Sequence, residues 1–218
     1  MQVMRLILLR HGQTTSNVDG LLDTAVPGAD LTERGHEQAA AVVEALADHP
    51  IDAIYVSDLV RTHQTAAPLA AALSLEPTEV GGLREISAGD VEMRGDRLAI
   101  RTYLDVLFAW ARGELDAGMP GAETGHDVLA RFDAAIEQVA ASGAECAVVV
   151  SHGAVLRLWT AMRCDNLTGE FLADRLISNT GVVMLDGHPE QGWRCLLWED
   201  EPVGGEEPGD VAADGPTA

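Results

Sequence analysis

Apolar residues in this chain fall into two kinds of run. Some are short and unbroken: Leu6-Ile7-Leu8-Leu9, and Ala147-Val148-Val149-Val150 directly after Cys146. Such a run, bounded by polar residues, fits a strand buried on both faces of a parallel sheet. Others recur every three or four residues: Ala39, Val42, Val43 and Leu46; Leu104, Leu107 and Phe108; Val128, Leu129, Phe132, Ile136 and Val139. These are the stripes of amphipathic helices. The predicted order is strand 5–9, helix 32–48, strand 52–56 and a helix running to about 73. An irregular stretch over 76–125 follows, containing helix 100–111. Helix 127–141, strand 146–150, helix 154–162, and strands 181–185 and 193–198 around the turn 187–192 complete it. Thr32 is the predicted N-cap of the first helix, and His49-Pro50 ends it. Ser57 or Asp58 is the predicted cap of the second. Strands alternating with helices predict an α/β fold with a mostly parallel central sheet.

Length and composition narrow this picture. A chain of 218 residues with 47% hydrophobic content suffices for one α/β domain, or two small ones. No apolar run approaches the ~18–20 residues of a membrane span. The start, Met1 to Arg5, has no basic leader ahead of a separate apolar segment. A cytoplasmic protein without a membrane partner is therefore expected. Residues 199–218 hold seven acids, no base, and several Gly and Pro. They read as an acidic disordered tail after a domain over 1–198.

Charge and residue usage exclude several functions. The net charge is −21, and no basic stripe is available for nucleic acid. All fourteen basic residues are Arg. Schiff-base chemistry and a Walker-type phosphate loop both need a lysine, so both are excluded. Cys146, Cys164 and Cys195 form no CxxC pair or metal knuckle and read as reduced structural thiols. No compact acidic cluster suggests a metal site, and no cofactor is expected.

The sharpest chemical signal is a pattern met twice, an apolar strand ending in His-Gly: Arg10-His11-Gly12 and Ser151-His152-Gly153. In parallel sheets ligands bind beyond the carboxyl ends of the strands, so both imidazoles should meet at one rim. Arg10 beside His11 suits a phosphoryl group, because a guanidinium fork matches phosphate oxygens and a neutral imidazole can attack phosphorus. Asn17 could turn back to donate through its amide. Arg61, just beyond the second strand, reaches the same rim. A helix N-terminus nearby also favours an anion.

With these landmarks the chain resembles the histidine phosphatase superfamily, the phosphoglycerate mutase-like fold, over about residues 4–198. Five landmarks in order carry the resemblance: Arg10-His11-Gly12, Asn17, Leu31-Thr32-Glu33-Arg34-Gly35, Ser57 to Ala66 with Arg61, and Ser151-His152-Gly153. The resemblance implies a three-layer α-β-α sandwich. It implies His11 as the phosphorylated nucleophile in a pocket of Arg10, Asn17, Arg61, His152 and the adjoining Gly153. It also implies an acidic proton donor, matched by Glu85, with Asp90 and Glu92 as rivals. Where many members carry Trp and Gly, this chain has Val91 and Met93, which alters the pocket wall. Glu123 and Thr124 fall in a segment resembling a substrate-entrance loop.

The implied activity is metal-independent hydrolysis of a small phosphorylated metabolite. His11 attacks phosphorus while Glu85 protonates the leaving oxygen, and Glu85 then activates water. Arg10, Arg61 and a cationic His152 hold the equatorial oxygens. A phosphoglycerate mutase shares the first step and is the alternative; few bases among residues 93–118 favour hydrolysis. A catalytically silent binding module would have lost a pocket residue, and none is lost here. Late strands of such folds can pair across a homodimer, so the oligomeric state is open.

Overall fold

The computed structural model describes residues 3–168, 171, 175–199 and 201–202. The chain runs β1 (Met4–Arg10), α1 (Thr15–Asp19), α2 (Glu33–Ala45), β2 (Ala53–Val56), α3 (Val60–Leu73) and β3 (Thr78–Glu79). Two single 3₁₀ turns follow, at Gly81–Leu83 and Gly89–Val91. Then come α4 (Arg97–Ala111), α5 (Gly125–Ala141), β4 (Cys146–Ser151), α6 (Gly153–Arg163), β5 (Val182–His188), β6 (Gly192–Trp198) and β7 (Glu201–Pro202).

One sheet of seven strands has the order β3-β2-β4-β1-β5-β6-β7. Strands β3, β2, β4 and β1 are parallel; β5, β6 and β7 add antiparallel edges. Alternation along the strands builds two cores. Leu6, Leu8 and Val149 face α4, α5 and α6, packing with Tyr103, Phe132 and Trp159. Ile7, Leu9, Val148 and Val150 face α2 and α3, packing with Val42, Leu46 and Leu69. The result is the expected three-layer α-β-α sandwich with a mostly parallel centre. All four Trp and all three Cys are buried, the thiols free.

Several local expectations change. Thr32 does cap α2, accepting from the Gly35 N–H, but the helix ends at Ala45. Neither Ser57 nor Asp58 is the N-cap of α3; Leu59 is, without a side-chain bond. The Ser57 hydroxyl instead meets His152, and the Asp58 carboxylate pairs with Arg84. Helix α1 lay hidden in a polar stretch and is held by a capping box between Thr14 and Asn17. The irregular middle acquires β3, the two 3₁₀ turns and an α4 that starts at Arg97, capped by Asp96. The boundary expected at residue 198 falls inside the sheet edge: β7 pairs with β6, and Glu199 turns back so that its Oε1 accepts the Ser178 hydroxyl at 2.6 Å. The rest of the acidic segment, residues 200 and 203–218, lies outside the described residues. Among the described residues, no helix is long and apolar enough to cross a membrane, and no group of three or more His, Cys, Asp or Glu could hold a metal ion.

Candidate active site

Register brings the two histidines together. Arg10 of β1 sits opposite Ser151 of β4, so the residue after each strand emerges at the same rim. The rings of His11 and His152 lie 5.3 Å apart, centroid to centroid, tilted by 58°. Ser57 follows β2, whose Val56 pairs with Val150. The same register therefore sets Ser57 beside His152.

The sequence around His11 fixes its pose. The Gly12 N–H donates to Thr65 Oγ1 at 2.9 Å, and Thr65 in turn donates to the Arg61 carbonyl at 2.7 Å. A Cβ on Gly12 would lie 2.7 Å from the Gly35 oxygen, and one on Gly35 only 2.1 Å from the Gln13 oxygen. Both glycines are required for the start of α2 to pack against the turn after His11. The Leu31–Gly35 landmark is thus a packing contact rather than a ligand site.

The two imidazoles have different partners. His11 Nδ1 lies 2.8 Å from the Gly12 carbonyl oxygen. A carbonyl only accepts, so Nδ1 carries the proton and Nε2 keeps its lone pair. Burial, then the Arg61 and Arg10 charges, hold the His11 pKa well below its ordinary 6.5. His152 Nδ1 accepts from Arg61 Nε at 3.3 Å, and its Nε2 lies 2.8 Å from Ser57 Oγ. Nε2 therefore carries the proton and donates to Ser57. Burial and Arg61 push the His152 pKa well below 6.5 as well. The expectation of a cationic His152 is corrected: the ring is neutral, and Arg61 supplies the charge.

Both arginines are buried. Arg10 Nη1 donates to the Ile177 carbonyl at 2.7 Å. Arg61 Nη2 donates to the Asp23 carbonyl at 2.9 Å, while Nη1 lies 3.7 Å from Asp23 Oδ2 and makes no hydrogen bond. A buried guanidinium nitrogen without an acceptor suits an oxyanion. Asn17 Oδ1 is taken by the Thr14 N–H at 3.0 Å and Asn179 Nδ2 at 3.3 Å, which leaves the Nδ2 end for a ligand.

The expected helix N-terminus is present, but its donors serve another anion. Glu85 accepts the Ala154 N–H on Oε2 at 3.1 Å, and the Val155 and Ile86 N–H groups on Oε1, both at 2.9 Å. The first turn of α6 thus binds the Glu85 carboxyl. Gly153 opens that turn and is buried behind the pocket. Among the rival acids, Glu92 receives the Thr24 and Ala25 N–H groups at 2.7 and 2.9 Å, and Asp90 is exposed. Glu123 is bound to Arg131 at 2.6 Å, and Thr124 caps α5; neither is among the pocket-lining residues.

A small pocket open to solvent is lined by His11, Asn17, Arg61 and Glu85, with Thr14, Ser16, Leu21, Leu22, Asp23 and Thr24. Arg10 and His152 lie fully buried behind this lining. Ser57, Asp23 and Asn179 are site residues that sequence reasoning missed. For Ser57 a signal existed, its place at a strand end beside His152. For Asp23 and Asn179 none did.

The model of the histidine phosphatase superfamily (branch 1) matches residues 6–201. A metal-independent phosphoserine phosphatase of Arabidopsis thaliana is 34% identical over 205 residues, covering 91% of this chain and 82% of that protein. The PE-PGRS family protein PE_PGRS11 of Mycobacterium tuberculosis is 37% identical over 212 residues. That match takes 90% of this chain but 36% of the relative, so this chain spans about a third of its length. Among solved structures, mycobacterial glucosyl-3-phosphoglycerate phosphatase superimposes with a TM-score of 0.76 at 27% identity, over 92% of this chain and all of that one.

Proposed function

This chain belongs to the histidine phosphatase superfamily and is a phosphoric monoester hydrolase, and we propose that it cleaves a small phosphomonoester without a metal, through a phosphohistidine on His11. One observation carries the reading. His11 is neutral, its Nδ1 proton rests on the Gly12 carbonyl, and it lines the same pocket as Arg61. That leaves Nε2 as a nucleophile beside a cation.

The reaction has two steps. Nε2 attacks phosphorus in line and the bond from phosphorus to the ester oxygen breaks. Glu85 gives its proton to the departing oxygen. Its Oε2 accepts a single backbone hydrogen bond, so that oxygen has the lone pair to carry this proton. Charge gathering on the phosphoryl oxygens is met by Arg61 Nη1 and the Asn17 amide, with the Arg10 charge behind the lining. Water then attacks the phosphohistidine and gives a proton to ionised Glu85. The bond between nitrogen and phosphorus breaks, and neutral His11 and inorganic phosphate result. His152 keeps Arg61 aimed, through the bond from Arg61 Nε to its Nδ1.

Acid-labile, alkali-stable radiolabel should accumulate on the protein during turnover of a labelled aryl phosphate, and should map to His11. Label on another residue, or turnover surviving in His11→Ala, would overturn the mechanism.

A further inference from the structure

Where the large exposed apolar side chains sit is uneven. Among the described residues, four of the seven exposed large apolar side chains, Val18 (64% exposed), Val26 (52%), Met93 (52%) and Leu98 (68%), belong to two segments, 18–26 and 92–98; Val3, Leu73 and Leu176 lie elsewhere. The segments are tied together. The Leu22 N–H donates to the Arg94 carbonyl at 3.0 Å, and the Met93 N–H donates to the Leu22 carbonyl at 2.8 Å. A Cβ on Gly95 would meet the Gly20 oxygen at 2.6 Å. The first segment also supplies Leu21, Leu22, Asp23 and Thr24 to the pocket wall. The segment that carries Met93 and Leu98 is therefore joined directly to the one that forms the pocket wall.

Met93 adds an independent mark. Its φ is +57°, a left-handed conformation that glycine adopts freely and other residues adopt at a cost. Its side chain is half exposed, so core packing does not account for it. Strain of this kind, kept at the edge of a site, points to use by the site. The charges here also disfavour anions. The two segments hold Asp19, Asp23, Glu92 and Asp96 against Arg94 and Arg97, and Asp96 binds Arg94 at 2.8 Å. Asp23 Oδ2 already lies beside Arg61, so a second anion on the substrate would meet a carboxylate first.

We propose that segments 18–26 and 92–98 form the leaving-group subsite, and that it takes alkyl or aryl phosphomonoesters whose alcohol is uncharged and presents an apolar face. The proposal rests on the phosphatase reading above. Apolar groups of the alcohol displace water from Val18, Met93 and Leu98, and esters bearing a carboxylate are turned away.

Hexyl phosphate, glycerol 1-phosphate and 3-phosphoglycerate all break a bond to a primary alcohol oxygen, so their kcat/KM values on the full chain compare subsites rather than leaving-group chemistry. Hexyl phosphate should exceed 3-phosphoglycerate by at least about 100-fold, a difference of several methylenes and one repelled charge. Met93→Gly relieves the backbone, so it should keep or raise the melting temperature while lowering kcat/KM for hexyl phosphate about tenfold, mainly through KM. Equal or better use of 3-phosphoglycerate, or an unmoved preference in Met93→Gly, overturns the subsite. If 4-nitrophenyl phosphate is still hydrolysed in a His11-dependent way, the phosphatase reading stands while the subsite falls. If no ester is hydrolysed, both fall.

Discussion

The two strand–His–Gly units are nearly the same in sequence and end side by side, yet their imidazoles are wired for different work. His11 commits Nδ1 to the Gly12 carbonyl and keeps Nε2 for the pocket. His152 commits both nitrogens, one to Ser57 and one to Arg61. The cause lies in what each glycine leads into. After Gly153 the chain enters α6 at once, and the first N–H groups of that helix hold Glu85. After Gly12 it turns, because Gly35 and Thr65 pin it from α2 and α3. A ring nitrogen's partner, not the motif around the ring, sets whether a histidine reacts or supports.

Replacing each ring in turn tests the contrast hardest. His11→Asn removes the nucleophile and should lower kcat by about 10⁴-fold or more. His152→Asn keeps the nucleophile and loses only the orientation of Arg61, so about 10²-fold is expected. Turnover of 4-nitrophenyl phosphate, with quench-trapped phosphoenzyme as the second reading, separates them: label should vanish only in the first. Equal losses with equal labelling would mean that the two rings are interchangeable. Glu85→Gln comes next. Alkyl esters need the proton and should slow by about 10²- to 10³-fold. The 4-nitrophenyl ester, whose leaving group needs none, should slow far less in the phosphorylation step. A uniform loss would shift the proton donor to Asp90 or Glu92.

How much of this was legible in the sequence follows the same divide. The strands of both units could be read, because an unbroken apolar run of that length has few other uses, and their register then brings His11 to His152. The α2, α4 and α5 stripes could be read for the same reason. Helix α1 could not: it is short and polar, and stands on a Thr14–Asn17 capping box rather than on an apolar face. Asp23 and Asn179 could not, since each reaches the site from a loop whose path no local pattern dictates. The charge of His152 was misjudged because protonation depends on burial and on Arg61 Nε, neither of which a sequence displays.

Ser57 sharpens the contrast at a smaller scale. Its Oγ accepts from His152 and from the Leu59 N–H at 3.2 Å. Ser57→Ala leaves the His152 Nε2–H without its acceptor, so the ring can change tautomer and release Arg61. About a tenfold fall in kcat/KM is expected, with KM for the ester rising as phosphate binding weakens. Ser57→Thr should restore most of it. The same fall in Ser57→Thr would assign the effect to packing.

The smallest effect is one in which the two histidines should behave alike. Both are held neutral by burial, with pKa values well below 6.5, whereas in the unfolded chain each titrates near 6.5. Below pH 6.5 the unfolded state therefore binds more protons than the native one. Stability rises with pH through that window and levels off above it. Each ring contributes at most about 1.4 kcal/mol per pH unit to the slope. His11→Asn and His152→Asn should each flatten the dependence between pH 5 and 6.5, by up to that amount at the acid end, as measured by urea unfolding at stepped pH. Chemistry separates the two rings by orders of magnitude, while burial shifts both in the same direction. A variant that left the slope unchanged would show that its ring takes up a proton in the native pocket, and that the tautomer assigned to it here is wrong.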